Sequence, residues 1–342
     1  MSVLQSTQFY KSASQPVLGI LITFQFLLPA LFSSCMKEDA QSMNLALSSP
    51  YGSSATSDTS VDIFTFNDDE LQLLDSYQHI TSLSSDKLEI RSQNGSKIIF
   101  ICANSRKNIY DWGEIRTLKS LDKITADLRT EKRDRLLLTG TGRTSAGERE
   151  CNIELRPVVS EILLKSIRCD FSNTSYEGES IRDARIYLTN VNCRCSITAQ
   201  KDIMPAEIIN PGGLDMDDVA CFKEYDMIFQ KLEEPIGETS ICPEASLLCY
   251  PNTSEKETPG SPFTRLVIEG RIGEDTYWWP IDINRDPQVA DKGIERNVCY
   301  IYDITIKRKG TADPDIPINA EDVEIKMTTT KWKELKDCPV RF

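Results

Sequence analysis

Asn297-Val298-Cys299-Tyr300-Ile301-Tyr302-Asp303-Ile304-Thr305-Ile306-Lys307-Arg308 decides the fold class. Val298, Tyr300, Tyr302, Ile304 and Ile306 recur at every second position, with Cys299, Ile301, Asp303, Thr305 and Lys307 between them. Successive side chains of an extended chain point to opposite faces, so the pattern predicts a half-buried strand. Turn chemistry follows at 310–315, and VEIKMT at 323–328 reads as a further strand. Toward the N-terminus, strand-like runs occur at 265–272, 247–250, 185–191 and 151–168. Residues 61–66 alternate and end in an Asn67-Asp68-Asp69 turn; 88–90 and 97–103 flank Gln93-Asn94-Gly95, which predicts a hairpin. Leu118, Leu121, Ile124 and Leu128 stand at helical spacing, so a short helix is expected within 115–129. Gly140, Gly142 and Gly147 then break the pattern. Elsewhere Pro and Gly sit between the apolar runs, which supports the strand assignments. The reading is mainly β: two sandwich domains with one or two short helices, joined near 150–156.

Composition narrows the chemistry. Among 342 residues, 39 are Lys or Arg and 52 are Asp or Glu, a formal charge of −13, so the basic footprint of a nucleic-acid binder is missing. One histidine, His79, makes a His-rich metal site or a Ser–His–Asp hydrolase a poor starting point, and it is expected on a loop or the surface. The sequence carries no P-loop, no GxGxxG opening a helix, no HExxH, no GxSxG and no CxxC pair. Cys193-Arg194-Cys195 is expected to send its two thiols to opposite faces of a strand. Asp215-Met216-Asp217-Asp218 lacks the spaced ligands and central Gly of an EF-hand and reads as a solvated loop. Tyr277-Trp278-Trp279 places Tyr277 and Trp279 on one face and Trp278 on the other, and at least one side must be core. No catalytic residue, metal ligand or cofactor site is expected, and the chain reads as a non-enzyme.

The N-terminus reads as an address. Lys11 precedes an apolar run at 17–32, VLGILITFQFLLPALF, interrupted by Gln25 and Pro29. As a helix it would span about 24 Å against a hydrocarbon core of roughly 30 Å, which favours a secretory signal peptide over 1–34 rather than a spanning anchor. Leu31-Phe32-Ser33-Ser34-Cys35 resembles the lipobox of bacterial lipoproteins, in which Cys35 would carry the lipid and open the mature chain. Lys37-Glu38-Asp39 is similar to the signal that exports lipoproteins to the cell surface in some Gram-negative anaerobes, the alternative being the start of a charged linker. Residues 35–59 form a small, polar linker in which Met43-Asn44-Leu45-Ala46-Leu47 can make one strand.

With the strands laid out, the chain resembles the fimbrillin family, the subunits of type V pili. Leu155-Arg156-Pro157-Val158-Val159 with Ile162-Leu163-Leu164 resembles the strand that follows the family's N-terminal domain. Tyr187-Leu188-Thr189-Asn190-Val191-Asn192, Cys249-Tyr250-Pro251-Asn252 and Phe263-Thr264-Arg265-Leu266-Val267-Ile268 are similar to its next segments. Glu295-Arg296-Asn297-Val298-Cys299-Tyr300, Gly310-Thr311, Asp313-Pro314, Pro317-Ile318 and Lys331-Trp332 resemble its ending. The resemblance covers roughly 60–342 and implies two transthyretin-like sandwiches, at 60–150 and 151–342. It also implies a fimbrium on the outer membrane, other pilus subunits as partners, and adhesion to host or bacterial surface ligands. Assembly would proceed by strand exchange, in which an N-terminal strand is removed by an Arg-specific protease and replaced by a neighbour's C-terminal strand. The corresponding segments are Met43, Asn44, Leu45, Ala46 and Leu47 as plug, and Pro339, Val340, Arg341 and Phe342 as donor. The chain departs from that pattern in one respect: no Arg occurs before Arg91, which points to an anchor or accessory subunit that keeps its lipid, or to a different protease. The second reading is a surface lipoprotein that binds glycans through Trp278, Trp279 or Trp112.

Overall fold

The computed structural model describes residues 41–48, 59–83, 87–105, 110–198, 207–286, 292–319 and 321–331. The first part contains β1 (Gln41–Ser48), β2 (Val61–Asn67), β3 (Leu74–Ile80), β4 (Lys87–Ser92), β5 (Lys97–Ala103), β6 (Thr125–Asp127), β7 (Leu138–Thr144), β8 (Glu150–Glu154) and β9 (Arg156–Pro157). Five of these form a sheet in the order β3-β2-β5-β7-β9, and a second sheet has the order β4-β1-β8. Their facing side chains share one apolar cluster, including Leu45, Val61, Ile63, Ile90, Ile99, Ile101 and Ile153.

The five-stranded sheet is covered on both faces. Every residue of β2 from Val61 to Phe66 is buried, as is all of β5. Ile63 and Ile99 face the cluster shared with the β4-β1-β8 sheet, whereas Phe64, Phe66, Ile98 and Phe100 join the larger core beneath the rest of the chain. A strand buried on both faces loses the apolar–polar alternation of a half-exposed one.

The remaining strands are β10 (Ser160–Cys169), β11 (Arg182–Thr189), β12 (Val191–Asn192), β13 (Arg194–Ser196), β14 (Ile208–Ile209), β15 (Phe229–Lys231), β16 (Ala245–Cys249), β17 (Arg265–Ile272), β18 (Asp275–Asp282), β19 (Val298–Ile306) and β20 (Val323–Lys331). They build two four-stranded sheets, β16-β10-β19-β20 and β15-β11-β17-β18, and two small ladders, β12-β14 and β13-β6. The run that decided the fold class is β19, in which Tyr300, Tyr302, Ile304 and Ile306 are buried as the alternation requires. The architecture is mainly β, with sheets packed in pairs over apolar cores.

Several local expectations are corrected. Residues 88–103 do not form a hairpin: β4 pairs with β1, whereas β5 pairs with β2 and β7, so the Gln93-Asn94-Gly95 turn crosses between sheets. Within 115–129 the α-helix is one turn, Leu118–Leu121, capped by Thr117 through Ser120. It stops because 125–127 pair with β13 instead. Residues 151–168 divide among β8, β9 and β10, in three different sheets. Cys193 and Cys195 are both buried and Arg194 between them is exposed, because positions two apart on a strand share a face. Gly140 and Gly142 do not break a strand; they lie inside β7, paired with β5.

Candidate functional site

The segment expected as the plugging strand, Met43 to Leu47, lies within β1. It runs antiparallel to β4, with Met43 opposite Ile90 and Leu45 opposite Leu88. It also runs parallel to β8, with Leu45 opposite Cys151 and Leu47 opposite Ile153. Met43, Leu45 and Leu47 are buried in the inner cluster, while Asn44 is exposed and Ala46 half-buried. Alternation at period two therefore aims three apolar side chains inward, each contributing about 1.5–3 kcal/mol of burial as an upper range. Backbone bonds bracket the strand, from Asn44 N–H to the Arg149 carbonyl (2.7 Å) and from Leu155 N–H to the Ser48 carbonyl (2.8 Å).

The opposing sheet is shaped to receive this layer. A Cβ on Gly142 would lie 2.5 Å from Cys151 Sγ and 2.7 Å from Ile153 Cγ1, and one on Gly140 would lie 2.6 Å from the Glu154 carbonyl oxygen. Only glycine at these two places lets β8 lie close over β7. Without β1, the slot between β4 and β8 would expose two rows of backbone donors and acceptors and an apolar floor. A strand entering it would need apolar side chains at alternate positions.

The other sequence-identified residues distribute as follows. Cys35, Lys37, Glu38 and Asp39, and the donor segment Pro339, Val340, Arg341 and Phe342, lie outside the described residues. Trp279 is fully buried, its indole N–H donating to the Arg308 carbonyl at 3.0 Å, so it offers no face to a sugar. Trp278 is half-buried and its backbone pairs with Thr311. Trp112 is half-buried and packs on Tyr110 (4.8 Å) and Phe64 (5.1 Å). Asp215 caps a short helix, Met216–Ala220, by accepting from Asp217 N–H, and Asp218 accepts from Asn210 N–H, so the acidic run is used structurally.

Two polar clusters were not legible in the sequence. Asp62 is buried and accepts from Tyr77 Oη–H at 2.6 Å and from Ser105 Oγ–H; its Oδ1 also lies 2.8 Å from His79 Nδ1. His79 is exposed at the surface as expected, on β3 rather than a loop, and stands directly opposite Asp62 in the ladder. Burial and the Asp62 carboxylate raise the Tyr77 phenol well above its ordinary value. In the second cluster Arg265, buried, meets Glu257 and Asp282 at 2.7 Å each and Asp315 at 2.9 Å. Only strand register and loop placement bring such groups together.

No family model matches the sequence, and no curated protein matches it. Solved structures do match the fold. A fimbrilin from Porphyromonas gingivalis superposes with a TM-score of 0.61 at 13% identity, covering 85% of this chain and 97% of that one. A candidate cell adhesion protein from Bacteroides eggerthii gives 0.62 at 15%, covering 86% and 96%. A C-terminally truncated tip fimbrial protein from Porphyromonas gingivalis gives 0.51 at 12%, covering 85% and 100%. At such identities the likeness is one of fold, and the fold is the one the sequence resemblance implied.

Proposed function

We propose that this chain, which shares its fold with fimbrial subunits, is a structural or accessory subunit of a cell-surface fimbria, assembled by strand exchange and supporting adhesion. The observation that carries the reading is β1: a strand held between β4 and β8, with Met43, Leu45 and Leu47 buried in the core at alternate positions. A strand attached in this way can be replaced by another of the same pattern without rebuilding either sheet. The β4-β1-β8 and β3-β2-β5-β7-β9 sheets, which extend the first sandwich beyond 60–150 to β1 and β9, would then act as the acceptor module, with the segment ending in Pro339, Val340, Arg341 and Phe342 as donor.

Lipid on Cys35 would hold the chain at the outer membrane, with Lys37, Glu38 and Asp39 directing it to the surface. Five residues separate Cys35 from Gln41, so β1 begins within about 20 Å of the lipid. A cut after β1 would release the anchor and vacate the slot in one step. With no Arg before Arg91, an Arg-specific protease has no bond to cut there. A subunit that keeps both lipid and plug can donate a strand but cannot accept one, which suits the membrane end of a fibre.

N-terminal sequencing and intact mass of the protein recovered from cells test this. A lipidated chain starting at Cys35 is expected, and a start between residues 50 and 60 would overturn the anchor role. Deleting the last twelve residues should block incorporation into fibres and leave the monomer folded. Unchanged incorporation would count against strand donation.

A further inference from the structure

β20 is an edge. Among the described residues it pairs with β19 alone, from Val298 opposite Lys331 to Ile306 opposite Val323, with no shift in register. From Val323 to Met327 the strand has no bulge and no proline, and its second edge faces away from β19. Exposed edges of this kind template pairing unless something guards them. Val323, Ile325 and Met327 lie opposite Ile306, Ile304 and Tyr302, on the core side of the sheet. Val323 is buried, but Ile325 is 39% exposed, so the sandwich stands open along this edge. On the outer side stand Glu324 and Lys326, both exposed.

We propose that the second edge of β20, at Val323–Met327, pairs antiparallel with β20 of a second copy, about a two-fold axis normal to the sheet and centred on Ile325. Charge selects both the occupant and the register. Centred on Ile325, the pairing sets Glu324 opposite Lys326 of the second copy, and by symmetry Lys326 opposite its Glu324. Ile325 meets Ile325, and Val323 meets Met327. Centring on Lys326 opposes two lysines, centring on Glu324 opposes two glutamates, and centring on Met327 leaves both charges facing threonines. Like charges directly opposite each other destabilise a ladder and unlike ones support it. An outward lysine guards an edge against most strands, and this register is the one that answers Lys326 with Glu324. Glu324 already meets Lys307 at 2.7 Å across the ladder and can accept from both lysines. This interface is separate from the slot of β1, and its test does not depend on strand exchange.

The test is cysteine cross-linking of the full-length protein displayed on cells, under copper-phenanthroline oxidation, with the unsubstituted chain as background. Ile325→Cys should yield a disulfide-linked dimer, because the substituted positions stand directly opposite. Met327→Cys should not, since its copies would stand about 14 Å apart and a disulfide needs Cα atoms within about 7 Å. In the Ile325→Cys background, Glu324→Lys or Lys326→Glu should each slow cross-linking about tenfold, and the two together should restore it. Equal cross-linking at 325 and 327, or indifference to the charge reversals, would overturn the proposal. So would a chain that never cross-links at 325 while its β20 amides resist hydrogen exchange, which would mean that its own C-terminal residues cover the edge.

Discussion

Leu45 stands opposite Cys151 in a parallel ladder, fully buried, in a strand whose other neighbour runs antiparallel. β1 thus bonds along both of its edges to strands distant in sequence, and its connection to the rest of the chain passes through residues 49–58. The inner cluster depends on it: Met43, Leu45 and Leu47, with Ile153 beside them on β8, close over the floor formed by Ile63, Ile99 and Ile101.

Truncating the centre of that strand should cost stability. Leu45→Ala is expected to lower the free energy of unfolding by about 2–5 kcal/mol, as large-to-small changes at fully buried sites do. Asn44→Ala, on the exposed face, should change it by less than about 0.5 kcal/mol. Urea titration of both variants checks the contrast.

Gly142→Ala should destabilise for the opposite reason, overpacking. Its new methyl would meet Cys151 Sγ and Ile153 Cγ1, which belong to a strand on the facing sheet. A loss of about 1–3 kcal/mol is expected. Pairing Gly142→Ala with Cys151→Ala should recover part of it, which a double-mutant cycle on thermal unfolding would register.

Arg265→Met removes one buried cation from three carboxylates. Burial already raises the Asp282 carboxyl above its ordinary value against the pull of Arg265. Loss of the guanidinium should cost about 3–5 kcal/mol near pH 7, mostly through Asp282, since Glu257 and Asp315 reach solvent. A protonated Asp282 needs no counter-charge, so the deficit should shrink as the pH falls through the carboxylate range. Denaturation midpoints between pH 4 and 7 test the sign.

Alkali should weaken the fold through its buried thiols. Burial pushes Cys195 and Cys249 up to about 12 and Cys169 up to about 11, from an ordinary 9.0. Above pH 9 the unfolded chain loses thiol protons that the folded chain keeps, so stability present below pH 9 declines between 9 and 12. Cys195→Ala with Cys249→Ala should flatten that slope, measured in urea under reducing conditions.

The sequence was most legible where one face of a strand is core and the other is not. β19 shows its alternation openly, and its burial follows. Legibility failed where topology, not local pattern, decides. β2 and β5 are buried on both sides, and Gln93-Asn94-Gly95 looks like a hairpin turn although its flanks join different sheets. Gly140 and Gly142 look like breakers, and their reason, the close approach of β8, lies across the sandwich. Met43, Leu45 and Leu47 were readable as a short alternating strand, but nothing local says that β4 and β8 enclose it. The Asp62 and Arg265 clusters gave no local signal, because each collects residues from three or more separate segments.

The most direct measurement places a unique protease site among residues 49–58 and follows the purified protein by light scattering and gel electrophoresis after the cut. The account predicts no ladder of polymers before cleavage. After it, the fragment carrying β1 should be released and a ladder of polymers should form, but not when the last twelve residues are missing. A cut chain that keeps its fragment and forms no polymers, or that polymerises equally well without those twelve residues, would contradict it.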